Sequence, residues 1–232
     1  MIREQTYTEI NRAVFERNVD VYKEAEYWRE DEESLVNRYF TKKGMTVLVG
    51  GVGRGRTVGP LLDKGFPVFG VDISAGMIDA ARGRFGDRAT FAVMDIQKTS
   101  FESDRFEYIL LPFHTICYTD DPWKTLQEMK RILKPGGVLI VSAANHLFLK
   151  DIVRGEVFKG KRRAMHVITG KGRELSQRHF TIFEVRHFRR LFPQVSVFGR
   201  LSLQSHPAYS FAERVMRAMP LFDKSLYFVC GK

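Results

Sequence analysis

Four glycines fall within six residues in Val47-Leu48-Val49-Gly50-Gly51-Val52-Gly53-Arg54-Gly55, directly after a short apolar run, and Asp72 closes the next such run, Pro67-Val68-Phe69-Gly70-Val71. Closely spaced glycines accept positive φ and let a ligand reach the backbone with no Cβ in the way. A carboxylate at the tip of the neighbouring strand can accept hydrogen bonds from ribose hydroxyls. The two features read as a nucleoside site. A third apolar run, Ala89-Thr90-Phe91-Ala92-Val93-Met94, ends in Asp95, which reads either as a ligand contact or as a turn and cap residue. A fourth, Phe106 to Leu111, opens into Pro112-Phe113-His114-Thr115-Ile116-Cys117-Tyr118. His114 is the ionisable group there with an ordinary pKa near neutrality, so it either takes the proton from an attacking hydroxyl or amine or simply shapes the pocket.

The spacing separates classes of nucleotide. A dinucleotide fingerprint counted from Gly51 needs a small residue where Arg56 stands, and a phosphate-binding P-loop needs Gly-Lys-Ser/Thr, which is absent from this loop. What remains is G-x-G-x-G.

These residues need strands with their tips on one side and helices between them. Thr57 to Lys64 reads as a helix stopped by Gly65; Ser74 caps a second helix with Met77, Ile78 and Ala81 on one side. Asp121-Pro122 starts a third, with Leu126, Met129, Ile132 and Leu133 as its buried stripe. That helix stops at Lys134-Pro135-Gly136-Gly137, and the strand Val138 to Val141 comes directly after it. Two further apolar runs, Val195 to Phe198 and Ser225 to Cys230, complete seven strands. Residues 8 to 40 carry a loose helical periodicity with Tyr22, Tyr27 and Trp28 among the apolar positions, either lining a lid or anchoring one or two helices to the sheet.

The glycine turn resembles motif I of the class I S-adenosylmethionine-dependent methyltransferases, and the likeness continues through Asp72-Ile73-Ser74-Ala75-Gly76-Met77, Asp95-Ile96 and Leu133-Lys134-Pro135-Gly136-Gly137, so that it covers residues 45 to 143. It implies a Rossmann-like α/β fold: a seven-stranded, mostly parallel sheet with an antiparallel last strand and helices on both faces. It implies S-adenosylmethionine as cofactor and S-adenosylhomocysteine as product. Gly51, Gly53 and Gly55 take the place of the family's glycines and Asp72 that of its ribose acid. Ile73 and Met77 are expected near the adenine, Asp95 and Ile96 at its amino group, and Leu111 at the cofactor from the fourth strand tip. The family usually has Asp or Glu two places before the first glycine, helping to hold the methionine end; this chain has Val49. Leu111-Pro112-Phe113 only half resembles the Asp/Asn-Pro-Pro-aromatic sequence of enzymes that methylate amino groups of nucleic-acid bases.

A chain of 232 residues suits one such domain. We divide it into an N-terminal helical lid (1–44), a cofactor-binding core (45–143), a substrate cap (144–194) and C-terminal strands and helix (195–232). No apolar run reaches the eighteen residues of a membrane span, no signal peptide is read at the start, and Cys117 and Cys230 lack metal-ligand spacing, so a cytoplasmic protein without a metal is expected. Residues 1 to 141 carry 20 Lys and Arg against 21 Asp and Glu, whereas residues 142 to 232 carry 17 against 6. The net charge of +10 therefore belongs to the cap and the C-terminal strands and helix. A basic cap points to an anionic partner: a small carboxylated or phosphorylated acceptor, which we favour, RNA, or an anionic membrane reached through Phe211, Val215, Met216 and Met219. A solvated basic face is the plain alternative. The expected activity is methyl transfer to an oxygen or nitrogen of a small, anionic acceptor; an RNA methyltransferase and a non-catalytic S-adenosylmethionine-binding partner protein are the alternatives.

Overall fold

The computed structural model describes residues 6–22, 28–145, 165–169, 173–177, 179–200, 203 and 223–232. Two helices come first, α1 (Tyr7–Arg17) and α2 (Glu30–Tyr39). Strands and helices then alternate: β1 (Val47–Gly50), α3 (Val58–Asp63), β2 (Val68–Asp72), α4 (Ala75–Phe85), β3 (Thr90–Val93), β4 (Phe106–Leu111), α5 (Pro122–Ile132) and β5 (Leu133–Ala144). A hairpin of β6 (Met165–Thr169) and β7 (Arg173–Gln177) precedes α6 (Val185–Leu191), β8 (Gln194–Gly199) and β9 (Ser225–Gly231).

The main sheet has seven strands in the order β3-β2-β1-β4-β5-β9-β8. The pairs from β3 to β5 are parallel, and β9 runs antiparallel to both β5 and β8. The expected mixed sheet is therefore present, and among the described residues β8 joins it through β9 alone. Side chains alternate between two buried layers, as the period of two in a strand requires. Leu48, Ile109, Leu111 and Val141 pack with Leu126 and Met129 of α5 and Phe188 of α6. Val47, Val49, Leu110 and Ile140 pack with Leu35 and Val36 of α2, Leu61 of α3 and Ile78 of α4. Helices thus cover both faces. Strand order reverses between β1 and β4, and that is where a parallel sheet leaves a crevice beyond its carboxyl ends.

Local chemistry sets the helix starts. Ser74 Oγ accepts from Met77 N at the head of α4, and Asp121 Oδ1 accepts from Trp123 N and Lys124 N ahead of Pro122. Each cap satisfies amides that the helix leaves unpaired. One boundary differs from expectation. Lys134 to Gly137 lies inside β5, where the pairing with β4 shifts register between Phe106 and Tyr108, and Gly137 comes so close to the Glu107 carbonyl that a Cβ would sit 2.8 Å away. The hairpin is an addition to the expected elements. Its two strands flank the glycines at 170 and 172, and β7 runs beside α1. Tyr27, the stripe from Phe211 to Met219 and most of the Lys and Arg residues of the basic cap lie outside the described residues. Among the described residues, no helix is long and apolar enough to cross a membrane.

Candidate functional site

β1 ends in the glycine turn, and the turn is fastened to β2 by Asp72. Gly53 N donates to Asp72 Oδ2 at 2.8 Å, and Ser74 N donates to Oδ1 at 3.0 Å. Burial lifts the Asp72 carboxyl above its ordinary value, against the amides of Ser74, Gly53 and Ile73. Gly53 has φ +54° and nothing within 4 Å of where a Cβ would be, so its bare face looks into open space. At Gly51, φ +67°, a Cβ would meet the Thr115 side chain at 2.4 Å. Gly55 does a different job: a Cβ there would strike the Phe85 ring at 2.5 Å, so the third glycine serves the packing of α4 rather than the cleft.

Beyond the strand tips lies a cleft of about 330 Å³, within the range of small-molecule sites. Gly51, Gly53, Asp72, Ile73, Met77, Asp95 and Ile96 all line it, together with Met94. Asp95 combines the two readings given to it: it faces the cleft, and its Oδ1 accepts from Gln97 N at 2.8 Å in a tight turn. Leu111 does not line the cleft. It is fully buried, pointing at Gly50, because the alternation along β4 turns it into the α5 layer. The cover comes from α1, through Thr8, Asn11 and Phe15, and Trp28 instead packs against the core on the α2 side. α1 is tied across the cleft at both ends. Thr8 N donates to Asp120 Oδ1, Asn11 Nδ2 to the Tyr118 carbonyl, and Ser74 Oγ and Gly76 N both to the Glu16 carboxylate. The capping box of Thr6 and Glu9 is the signal in the sequence that marks where this helix begins.

The loop after β4 closes the other end. Phe113 and His114 both have positive φ, +54° and +63°, which costs non-glycine residues on the order of 1–2 kcal/mol each. The conformation is pinned: Phe113 N donates to Glu32 Oε1, and His114 N donates to Ser142 Oγ at 2.7 Å. His114 does not line the cleft; its Nε2 stands 2.9 Å from Ser225 Oγ. Burial, helped by the nearby Arg29, His179 and Lys224, pushes its pKa down to about 3. A group of that pKa is a poor proton acceptor at neutral pH. The environment of His114 is that of a neutral strut.

Residues 48–141 match the family model described as a methyltransferase domain. Over this stretch the chain is similar to methyltransferase domains, in line with the class I S-adenosylmethionine-dependent resemblance of its motifs. Over 103 residues the chain is 32% identical to a demethylmenaquinone methyltransferase of Renibacterium salmoninarum, covering 44% of this chain and 43% of that protein. Over 116 residues it is 28% identical to a ubiquinone biosynthesis O-methyltransferase of Coxiella burnetii, covering 49% of each. The matches span less than half the length of either relative. Among solved structures, the fold resembles the complex between the Haloferax volcanii Trm112 methyltransferase activator and the putative methyltransferase, with a TM-score of 0.65, 21% identity and 99% coverage of both chains.

The cleft fits the cofactor that this resemblance implies, S-adenosylmethionine. The bare face of Gly53 and the Asp72 carboxylate suit a ribose, and the apolar side chains of Ile73, Met77, Met94 and Ile96 make a slot for a flat ring. Behind the loop at Phe113 stands a buried charge network that sequence reasoning missed. Asp31 and Glu32 are each 1% exposed. Asp31 accepts from Arg29 at 2.8 Å and from Tyr227 Oη at 2.6 Å, with Arg200 at 3.5 Å. Glu32 pairs with Arg56 at 2.8 Å, and the Arg56 guanidinium lies 4.9 Å over the Phe113 ring. Among the described residues, three cations thus face two anions here. Glu30 to Glu33 reads in sequence as the solvated acidic first turn of a helix, which is why the network was not legible.

Proposed function

We propose that the chain is a cytoplasmic enzyme that moves a methyl group from S-adenosylmethionine to an oxygen or nitrogen of a small, anionic acceptor. The observation that carries this reading is the excess of positive charge beside the Phe113 loop: Arg29 lies over the Phe113 ring, Arg29 and Arg200 together face the single carboxylate of Asp31, and Lys224 is close enough to depress His114. In the domain, Asp72 would accept from the ribose hydroxyls, Asp95 from the adenine amino group, and the slot of Ile73, Met77, Met94 and Ile96 would hold the ring. When bound, S-adenosylmethionine supplies an electrophilic methyl on a sulfonium. The chain's part is alignment and exclusion of water by α1, which suffices for a donor already activated. Cations near the acceptor lower its pKa and favour its deprotonated form, a carboxylate, an oxyanion or a neutral amine, so the proton of a hydroxyl or carboxyl acceptor is lost to solvent before transfer and no side-chain base is required. Cys117 and Cys230 are buried thiols, in keeping with a reducing compartment.

Calorimetric titration with S-adenosylmethionine and S-adenosylhomocysteine, followed by labelled-methyl transfer to carboxylated and phosphorylated small molecules and to RNA, tests the proposal. Micromolar binding and transfer to a small acid are expected. Binding of neither cofactor form withdraws it, and transfer to RNA alone replaces the acceptor.

His114→Gln retains an amide able to meet Ser225 and should reduce turnover by less than roughly tenfold, where loss of a working general base costs about 100- to 10,000-fold. The wild-type rate should show no ionisation step near pH 6.5 from this group. Because the folded pKa lies below the unfolded one, the neutral ring stabilises the fold fully above about pH 6.5, and that contribution fades as the pH falls toward 3. Melting temperature against pH for the two proteins reads that difference; equal acid limbs would remove the assignment.

A further inference from the structure

The family's acid before the first glycine has no counterpart here, and the side chain in its place cannot provide one. Val49 is fully buried in the layer with Leu35 and Val36. A carboxylate does reach this end of the sheet from α2, in Glu32, but it is held by Arg56 and by Phe113 N. Two arginines line the cleft: Arg54, which reaches to the Val19 carbonyl and Asp20, and Arg56, which lies beside Phe113. Arg56 sits with Phe113 on the β4 side of β1, whereas Asp72 and Asp95 stand on the side of β2 and β3, so a ligand whose adenosine end occupies the latter presents its other end to the Arg56 guanidinium.

Resting on the cofactor assignment proposed above, we infer that Arg56 binds the carboxylate of the cofactor's amino-acid end, so that this site recognises the methionine portion through its negative group instead of its ammonium. Several observations converge on this. Glu32 and the Phe113 ring fix the plane of the guanidinium from two directions. The side chain is 12% exposed, so its charge is largely out of water, where a charge-assisted hydrogen bond is strongest. Its rigid fork matches a carboxylate in a way that a lysine ammonium does not.

Three ligands separate the groups being read: S-adenosylhomocysteine, its decarboxylated analogue, which keeps the ammonium, and 5′-methylthioadenosine, which lacks both. Calorimetry on the wild type should give a preference for S-adenosylhomocysteine over the decarboxylated analogue of roughly 10- to 100-fold. Arg56→Ala should abolish that preference by weakening S-adenosylhomocysteine alone, leaving the other two affinities unchanged, and Arg56→Lys should restore part of it. Unaltered binding of 5′-methylthioadenosine also reports that the variant is folded. Equal weakening of all three ligands would make Arg56 a support of the Phe113 loop and overturn the inference, as would a wild type that binds 5′-methylthioadenosine but shows no preference for the carboxylate. A wild type that binds none of the three would withdraw the cofactor assignment itself.

Discussion

Asp72→Ala should lose S-adenosylhomocysteine binding by a factor of about 100 or more, measured by calorimetry on protein whose melting temperature has been checked. The side chain serves two structures at once. Its two oxygens accept from Gly53 N and Ser74 N, which sets the glycine turn against the head of α4, and their remaining lone pairs face the cleft where ribose hydroxyls would donate. Hydrogen bonds to a charged partner are worth about 1.5–3 kcal/mol each, so losing two costs on the order of 3–6 kcal/mol before any movement of the turn. Asp72→Asn is not a silent control. Each oxygen meets a backbone N–H, so the asparagine amide must set its own NH2 against one of those donors. It should bind more weakly than wild type and more tightly than the alanine variant. Wild-type affinity in Asp72→Ala would sink the assignment of the cleft.

Asp31→Ala should lower stability by about 3–5 kcal/mol, the usual cost of removing one member of a buried ion pair. It would leave Arg29, 16% exposed, and the buried Tyr227 hydroxyl without their carboxylate, and the more exposed Arg200 without its anion. At this chain length that is a fall in melting temperature of roughly 6–20 °C. Tyr227→Phe removes a single hydrogen bond from the same carboxylate and should cost only about 1–2 kcal/mol. Burial raises the Asp31 carboxyl, but the hydrogen bonds from Arg29 and Tyr227 and the nearby charges outweigh it, and the group ends below its ordinary value of 3.8. A depressed folded pKa gives stability that is complete above the unfolded pKa and lost as pH falls through the folded one. The wild type should therefore show an acid unfolding limb below about pH 3.8 that Asp31→Ala lacks. A melting temperature within about 2 °C of wild type, the effect of less than roughly 1 kcal/mol, would mean that the pair contributes little.

Much of the frame was legible because its signals are local. β1, β2 and β4 announce themselves as apolar runs, Ser74 and Asp121 as caps, and Asp72 and Asp95 as acids at strand tips; each depends on neighbours a few residues away. What escaped is long-range. Asp31 and Tyr227 are 196 residues apart, Glu32 and Phe113 81, and no periodicity in either segment records the contact. His114 stands in the expected loop, yet two positive φ angles and its approach to Ser225 turn the ring away from the cleft. Leu111 departs from expectation for a simpler reason, since a period of two decides which face a strand-tip residue takes. Gly55 shows that a motif position can be right while its physical task differs: it makes room for Phe85.

The position of β8 also constrains how the chain can come to its fold. β8 is synthesised before β9 yet, among the described residues, pairs with no other strand of the main sheet, and β9 must first insert antiparallel beside β5. On a ribosome, the edge of β5 therefore stays open while β8 waits, and the sheet cannot be completed strand by strand from the N-terminal side. The last of these strands to emerge is the one that closes the sheet, which places a non-local, slow-forming pairing at the end of folding and leaves β5 as the edge that needs protection until then.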